Sequence, residues 1–299
     1  MGLRIRTNVA SVNSQRNLGK STDAIQENMA KLSSGYRINK SADDAAGLAI
    51  SETMKGQIRS LEQARRNAND GVSLVQVAEG SFSEVTNIMI RLRELATQAA
   101  SDTIGNTERT FTNREYNQLV TEIQRITNTT KWNSMPLLQG QEALSESVGD
   151  DSLFTIHVGG GDGLAENTDT IRIGVENLQI NVEALGLMND EGNNIGPSEI
   201  GGEFSRTMAA EKLNVIDSAL NTMANNRSYL GAQQSRLTST VNNLGVQIEN
   251  LKSANSRIRD VDFADETAAF TQNRILQQAG VSVLSQANSA PEVAMALLR

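Results

Sequence analysis

The chain has no cysteine among its 299 residues. That absence removes disulfides, thiolate zinc sites, iron–sulfur clusters and thiol enzymes together. A single histidine, His157, removes any multi-histidine metal site. Aromatic residues are 3% of the chain, so a core must be built from aliphatic side chains. There are three prolines, and everything before Pro136 runs without a proline helix-breaker. Acidic residues outnumber basic ones 35 to 27, for a net charge of −8. That is the wrong sign for displacing counterions from nucleic-acid phosphates, so no nucleic-acid partner is expected. No apolar run approaches the roughly 18 residues of a membrane span. The opening MGLRIRTNVASVNSQ lacks the apolar stretch of a secretory signal. It also has Arg6 where a myristoylation signal needs a hydroxyl residue.

What is present is a heptad pattern on either side of a glycine-rich middle. Twelve of the 23 glycines fall between Gly140 and Gly202. In the first flank, Met54, Leu61, Ala68, Val75, Phe82, Met89 and Ala96 recur every seventh residue. Three residues on come Gln57, Ala64, Gly71, Ala78, Val85, Leu92 and Ala99. In the second flank, Ile216, Met223, Leu230, Leu237, Leu244, Leu251 and Ile258 hold one position without a polar interruption. Their partner position reads Leu213, Leu220, Arg227, Gln234, Val241, Ile248 and Asn255. Sustained a/d seams of this kind predict long paired helices, about 70 Å for residues 213–258 at 1.5 Å per residue. The expected fold class is mainly α: an elongated antiparallel helical bundle or coiled coil with a small β-hairpin region in the middle.

The predicted helices are about 42–102, 113–128 and 206–256, with hairpin and loops over about 136–205. Residues 1–40 and 259–299 are expected to form a terminal helical domain, and 41–258 a rod domain. Ser41 with Asp44 reads as a cap restarting a helix after Gly35, and Thr112 with Glu115 as a capping box. Leu153–Val158 and Thr170–Val175 read as two strands, and Asn189–Gly202 as an exposed loop. A last helix carrying Phe263 and Phe270 is expected to reach Pro291 and to pair antiparallel with residues 1–33.

Chemistry-bearing constellations are scarce. His157 sits alone in a predicted strand, which does not make a catalytic triad. The GGGDG at Gly159–Gly163 lacks the following helix and lysine of a phosphate loop and the copies of a calcium repeat. Asp43 and Asp44 are adjacent, so on a helix they do not face one another, and capping is the expected role. Asn128-Thr129-Thr130 and Asn226-Arg227-Ser228 match the glycosylation triplet only as chance would. No enzyme, cofactor or metal site is expected.

Long stretches then carry a resemblance. LSSGYRINKSADDAAGLAIS (Leu32–Ser51), ARRNANDGVSLVQVAEG (Ala64–Gly80) and RLRELATQ (Arg91–Gln98) resemble the N-terminal signature of bacterial flagellins. NRILQQAGVSVLSQANSAPEVAMALLR (Asn273–Arg299) is similar to the flagellin C-terminus. The resemblance covers both helical flanks in the right order. It implies a structural subunit that polymerises into the flagellar filament, in a minimal form without large outer domains. It implies export through the flagellar type III apparatus to an extracellular filament, whether naked, sheathed or periplasmic. The implied partners are other copies of the chain, a small secretion chaperone at the C-terminus, and the flagellar cap and hook-associated proteins. The hook–filament junction proteins and other secreted type III coiled-coil proteins share the helical design and are the alternatives.

Residue roles follow from the resemblance alone. Flagellins seen by Toll-like receptor 5 imply a contact at Arg91, Leu95 and Glu115, although Ile90 departs from the glutamine common in recognised members. Arg91 and Leu95 lie outside the a and d positions, one turn apart. On the C-terminal helix, Phe270, Leu276, Val283 and Leu284 form the expected apolar stripe for assembly and for chaperone masking.

Overall fold

The computed structural model describes residues 8–140, 153–161, 169–174, 177–187 and 206–297. Along them run α1 (Val9–Ser34), α2 (Ala45–Ala99), α3 (Asn106–Thr129), β1 (Lys131–Trp132), β2 (Met135–Pro136), β3 (Leu153–His157), β4 (Thr170–Gly174), α4 (Arg206–Arg259) and α5 (Phe263–Leu297). This is the expected mainly helical fold with a small β region. The loop expected at Asn189–Gly202 lies outside the described residues, as do Val175 and Gly163. Contacts divide the chain into two compact units. One comprises residues 1–59 with 248–299, the other residues 60–247, and both long helices contribute to each.

In the unit of residues 60–247, α2 and α4 run antiparallel, with Arg93 bonded to Asp217 at 2.6 Å and Gly71 facing Leu237. The heptad seams lie inside. Ala68, Val75, Phe82, Met89 and Ala96 are buried on α2, and Ile216, Met223, Leu230, Leu237 and Leu244 on α4. Tyr116, Val120 and Ile123 of α3 close a third side. The β3–β4 hairpin pairs Leu153 with Gly174 through His157 with Thr170. It sends Phe154, Ile171 and Ile173 into the same core. Ile156 packs on the bare backbone of Gly71, where an added Cβ would sit 2.4 Å from its Cδ1. The Gly174 N–H donates to the Tyr229 hydroxyl at 3.1 Å, tying the hairpin to α4.

Several local expectations are corrected. Over the first four heptads the α4 partner position is 212, 219, 226 and 233, one residue earlier than read, whereas Ile248 is buried as read. Lys212, Ala219, Asn226 and Gln233 are buried there. Hydropathy pointed to Leu213 and Leu220 instead, yet both are only half-buried. A helix packed on more than one side buries a stripe wider than a and d, and polar residues can fall inside it. Helix α3 starts after Gly105, well before Thr112. The Thr112 hydroxyl donates to the Glu108 carbonyl at 3.1 Å, as a mid-helix threonine does, so it caps nothing. The short β1–β2 hairpin was not foreseen. Its turn is Asn133-Ser134, both left-handed at φ 47 and 69, as a two-residue hairpin turn requires.

In the unit formed by both ends of the chain, α1 ends at Gly35, which is left-handed at φ 75 and donates to the Lys31 carbonyl. Helix α2 begins at Ala45, and its cap is Asp44, not Ser41: the carboxylate accepts from the Gly47 N–H at 2.9 Å. Asp43 accepts from the N–H groups of Asn39 and Lys40, and those bonds hold its carboxyl below the usual range. The α1–α2 and α4–α5 breaks are tied to one another. The Arg37 N–H donates to the Arg259 carbonyl at 2.7 Å, and the Val261 N–H to the Gly35 carbonyl at 3.0 Å. Arg259 stacks over the Tyr36 ring at 4.7 Å and bonds Glu52, whose carboxyl it holds low. Helix α5 runs on past Pro291 to Leu297, beyond the expected end.

Candidate functional site

The terminal helices α1 and α5 pack antiparallel, and their contacts fix a register. Asn8 Nδ2 donates to the Ala287 carbonyl at 2.7 Å, and the Ser11 hydroxyl bonds Asn288 Oδ1 at 2.7 Å. Further along, Leu18 lies on Gly280, and Gln277 Nε2 donates to the Thr22 hydroxyl at 3.2 Å. Asn28 is buried. In the amide orientation that satisfies both its ends, Nδ2 donates to Ala24 O and Glu266 Oε1 while Oδ1 accepts from Asn273 Nδ2. The seam therefore mixes amides, hydroxyls and small residues with the half-buried Leu18, Ile25 and Leu32 of α1.

The apolar residues of α5 divide between two faces. Phe270 and Leu284 are half-buried on the seam side. Leu276 is 50% exposed and Val283 52% exposed, alongside Ile275 and Val281, which are exposed as well. The expected stripe of Phe270, Leu276, Val283 and Leu284 is thus not one stripe. Ile275, Leu276, Val281 and Val283 make a hydrophobic surface left uncovered in the isolated chain.

At α2 and α3, Arg91 and Glu115 meet. Two hydrogen bonds of 3.0 and 2.8 Å join them, and Arg91 also bonds Glu94 at 2.9 Å. Those carboxylates, Glu94 first and then Glu115, push the Arg91 guanidinium up. Both Arg91 and Glu115 are exposed. Leu95 is 2% exposed and belongs to the core, so it does not share their surface. Beside it, Lys212 Nζ lies 4.7 Å from the centre of the Tyr116 ring. Burial lowers the Lys212 ammonium to about 8 and raises the Tyr116 hydroxyl to about 12. Among the described residues, no group of three or more His, Cys, Asp or Glu side chains is placed to hold a metal ion. No described helix is long and apolar enough to cross a membrane.

Family comparison decides the identity of this helical arrangement. Residues 5–143 match the bacterial flagellin N-terminal helical region, and residues 213–298 match the bacterial flagellin C-terminal helical region. The chain belongs to the bacterial flagellin family. It is 40% identical over 297 residues to a flagellin of Halalkalibacterium halodurans, covering 99% of each chain. It is 39% identical over 311 residues to a flagellin of Bacillus subtilis, covering 99% of this chain and all of the relative. Among solved structures, a putative flagellar hook-associated protein from Vibrio parahaemolyticus superposes with a TM-score of 0.57 at 12% identity. It covers 73% of this chain and 100% of that one, a likeness of fold alone.

Among the described residues of this flagellin, no large outer domain lies between the rods. Sequence reasoning did not assign which amides form the α1–α5 seam. The signal was there in Asn273 and Gln277, one helical turn apart, but Ile275, Leu276, Val281 and Val283 drew attention to the opposite face. It also missed that Glu115, freed from a capping role, is available to Arg91.

Proposed function

We infer that this flagellin is the structural subunit that polymerises into the bacterial flagellar filament. The observation that carries this reading is the exposed aliphatic surface of α5. Asn273 and Gln277 face α1 while Ile275, Leu276, Val281 and Val283 remain exposed. Neighbouring copies cover that face in the polymer, and burial of such side chains contributes about 25 cal/mol per Å² of apolar surface removed from water. The contacts are heterologous and non-closing, the arrangement by which identical subunits build a helix.

The same exposed face is an aggregation hazard in a chain awaiting export. A small secretion chaperone binds the C-terminal helix and masks it until the subunit leaves through the flagellar export apparatus. Cap and hook-associated proteins meet the filament at its two ends, outside the cell. Arg91 and Glu115 are the exposed residues through which Toll-like receptor 5 recognises the subunit, with Leu95 supporting them from beneath.

Replacing Leu276 and Val283 together by aspartate tests the assembly reading. The double variant should keep its helical circular dichroism, lose polymerisation on filament seeds, and bind the cognate secretion chaperone weakly. A variant that still forms long filaments sinks the proposal.

A further inference from the structure

We propose that Asn8 and Pro291 together form a register lock for the terminal helix pair. A proline has no backbone N–H, so the carbonyl four residues before it loses its helical donor. In α5 that carbonyl belongs to Ala287, and Asn8 Nδ2 donates to it at 2.7 Å. The other end of the same amide is also in use. Asn8 Oδ1 accepts from the Ser11 N–H at 3.1 Å and caps α1. One side chain thereby starts α1 and completes the hydrogen-bonding of α5.

The arrangement discriminates between registers. Pro291 is the only proline in residues 263–297, so Ala287 carries the one interior carbonyl of α5 without an N–H four residues on. A slip of one heptad would bring Asn8 opposite Gly280, whose carbonyl already accepts from the N–H of Leu284 in the helix. The rest of the seam offers weak discrimination. Gly280 and Ala287 are both small, and Asn273 and Gln277 can pair with many donors and acceptors. Leu18, Ile25 and Leu32 are seven apart on α1, and Phe270 and Leu284 fourteen apart on α5, so a one-heptad slip still brings apolar residues into the seam, and a single polar device can fix the register. The Ser11 hydroxyl on Asn288 Oδ1, one residue from Ala287, reinforces the same register. The register decides where along α1 the outward face of α5 stands, so the lock positions the assembly face; this last step rests on the filament reading.

The test is a double-mutant cycle on the full chain, read as the critical concentration for polymerisation. Asn8→Ser, which keeps a capping oxygen, should raise it about fivefold when Pro291 is present, the scale of one lost hydrogen bond, and less than about twofold in a Pro291→Ala background. Equal effects in both backgrounds overturn the lock. Asn8→Ser keeps a capping oxygen but lacks the reaching amide, so an Asn8→Ser variant that polymerises like the unmodified chain also overturns it. Because the chain is free of cysteine, register can be read directly even where polymerisation fails. Ser11→Cys with Asn288→Cys should cross-link efficiently when Asn8 is present. With Asn8→Ala, cross-linking should shift toward the slipped pair, Ser11→Cys with Val281→Cys. An unchanged cross-linking ratio refutes the lock. Failure of the unmodified chain to polymerise would count against the filament reading alone.

Discussion

Arg91 and Glu115, 24 residues apart in the chain, hold each other across two helices by hydrogen bonds of 3.0 and 2.8 Å, while Leu95, one turn from Arg91, is buried beneath them. The pair is solvated on both sides, where ion pairs contribute little to stability. Leu95 is packed, and truncating a packed leucine to alanine costs about 2–5 kcal/mol. Arg91→Ala should therefore leave the thermal midpoint of the monomer almost unchanged, and Leu95→Ala should lower it clearly. In a receptor-activation assay both should lose signal, but for Leu95→Ala the loss should follow the unfolded fraction. Similar midpoints for the two variants would mean that Leu95 is a surface residue after all.

Leu244→Asp should be far more damaging than Asn243→Asp. Leu244 is 4% exposed in the uninterrupted α4 seam, and Asn243 is exposed one residue round the helix. Placing a carboxylate in an aliphatic seam costs several kcal/mol, roughly the margin of a typical domain, which is about 5–15 kcal/mol. The surface change should stay within about 0.5 kcal/mol. Urea denaturation of the two monomers decides the matter, and coincident curves would break the assigned register.

The buried Lys212 and Tyr116 give stability an alkaline dependence. Lys212 falls from 10.5 to about 8 on folding, so between those values the unfolded chain holds the extra proton and stability rises with pH. Tyr116 rises from 10.0 to about 12, so above pH 10 the unfolded chain sheds its proton first and stability falls. These two groups should give a maximum near pH 10. Lys212→Met should abolish the rising limb and raise stability at pH 7. Chemical denaturation at a series of pH values from 7 to 12 tests this, and an unchanged rising limb in the variant argues against it.

Gly80→Ala should stabilise the monomer by about 0.5–1 kcal/mol, the cost of glycine inside a helix. Gly80 lies within α2, and a Cβ there meets nothing within 4 Å. The gain should appear as a raised thermal midpoint; a lowered one would reveal a contact at this position that the isolated subunit does not show.

The long seams were legible because one rule governs them throughout. Ile216, Met223, Leu230, Leu237 and Leu244 recur at the heptad spacing, and all five are buried. Helix starts were less legible. Thr112 with Glu115 has the residues of a capping box, yet the chain is already helical from Asn106, and local chemistry could not reveal that. The heptad partner was assigned through Leu213, Leu220, Arg227 and Gln234, yet Lys212, Asn226 and Gln233 are the buried residues. They are inside because α4 packs on several sides at once.

The sequence by itself determined the helical content, the hairpin in the middle, the antiparallel pairing of the ends and the family. Each of these is written in local periodicity or in long contiguous motifs, and neither depends on what lies across the fold. Tertiary structure decided which face each helix turns inward. It placed amides on the α1–α5 seam, set Leu276 and Val283 outward, sank Leu95 into the core and brought Asn8 to the carbonyl that Pro291 leaves open. Burial is a property of the neighbour as much as of the residue, and those neighbours lie up to 279 positions apart in the chain.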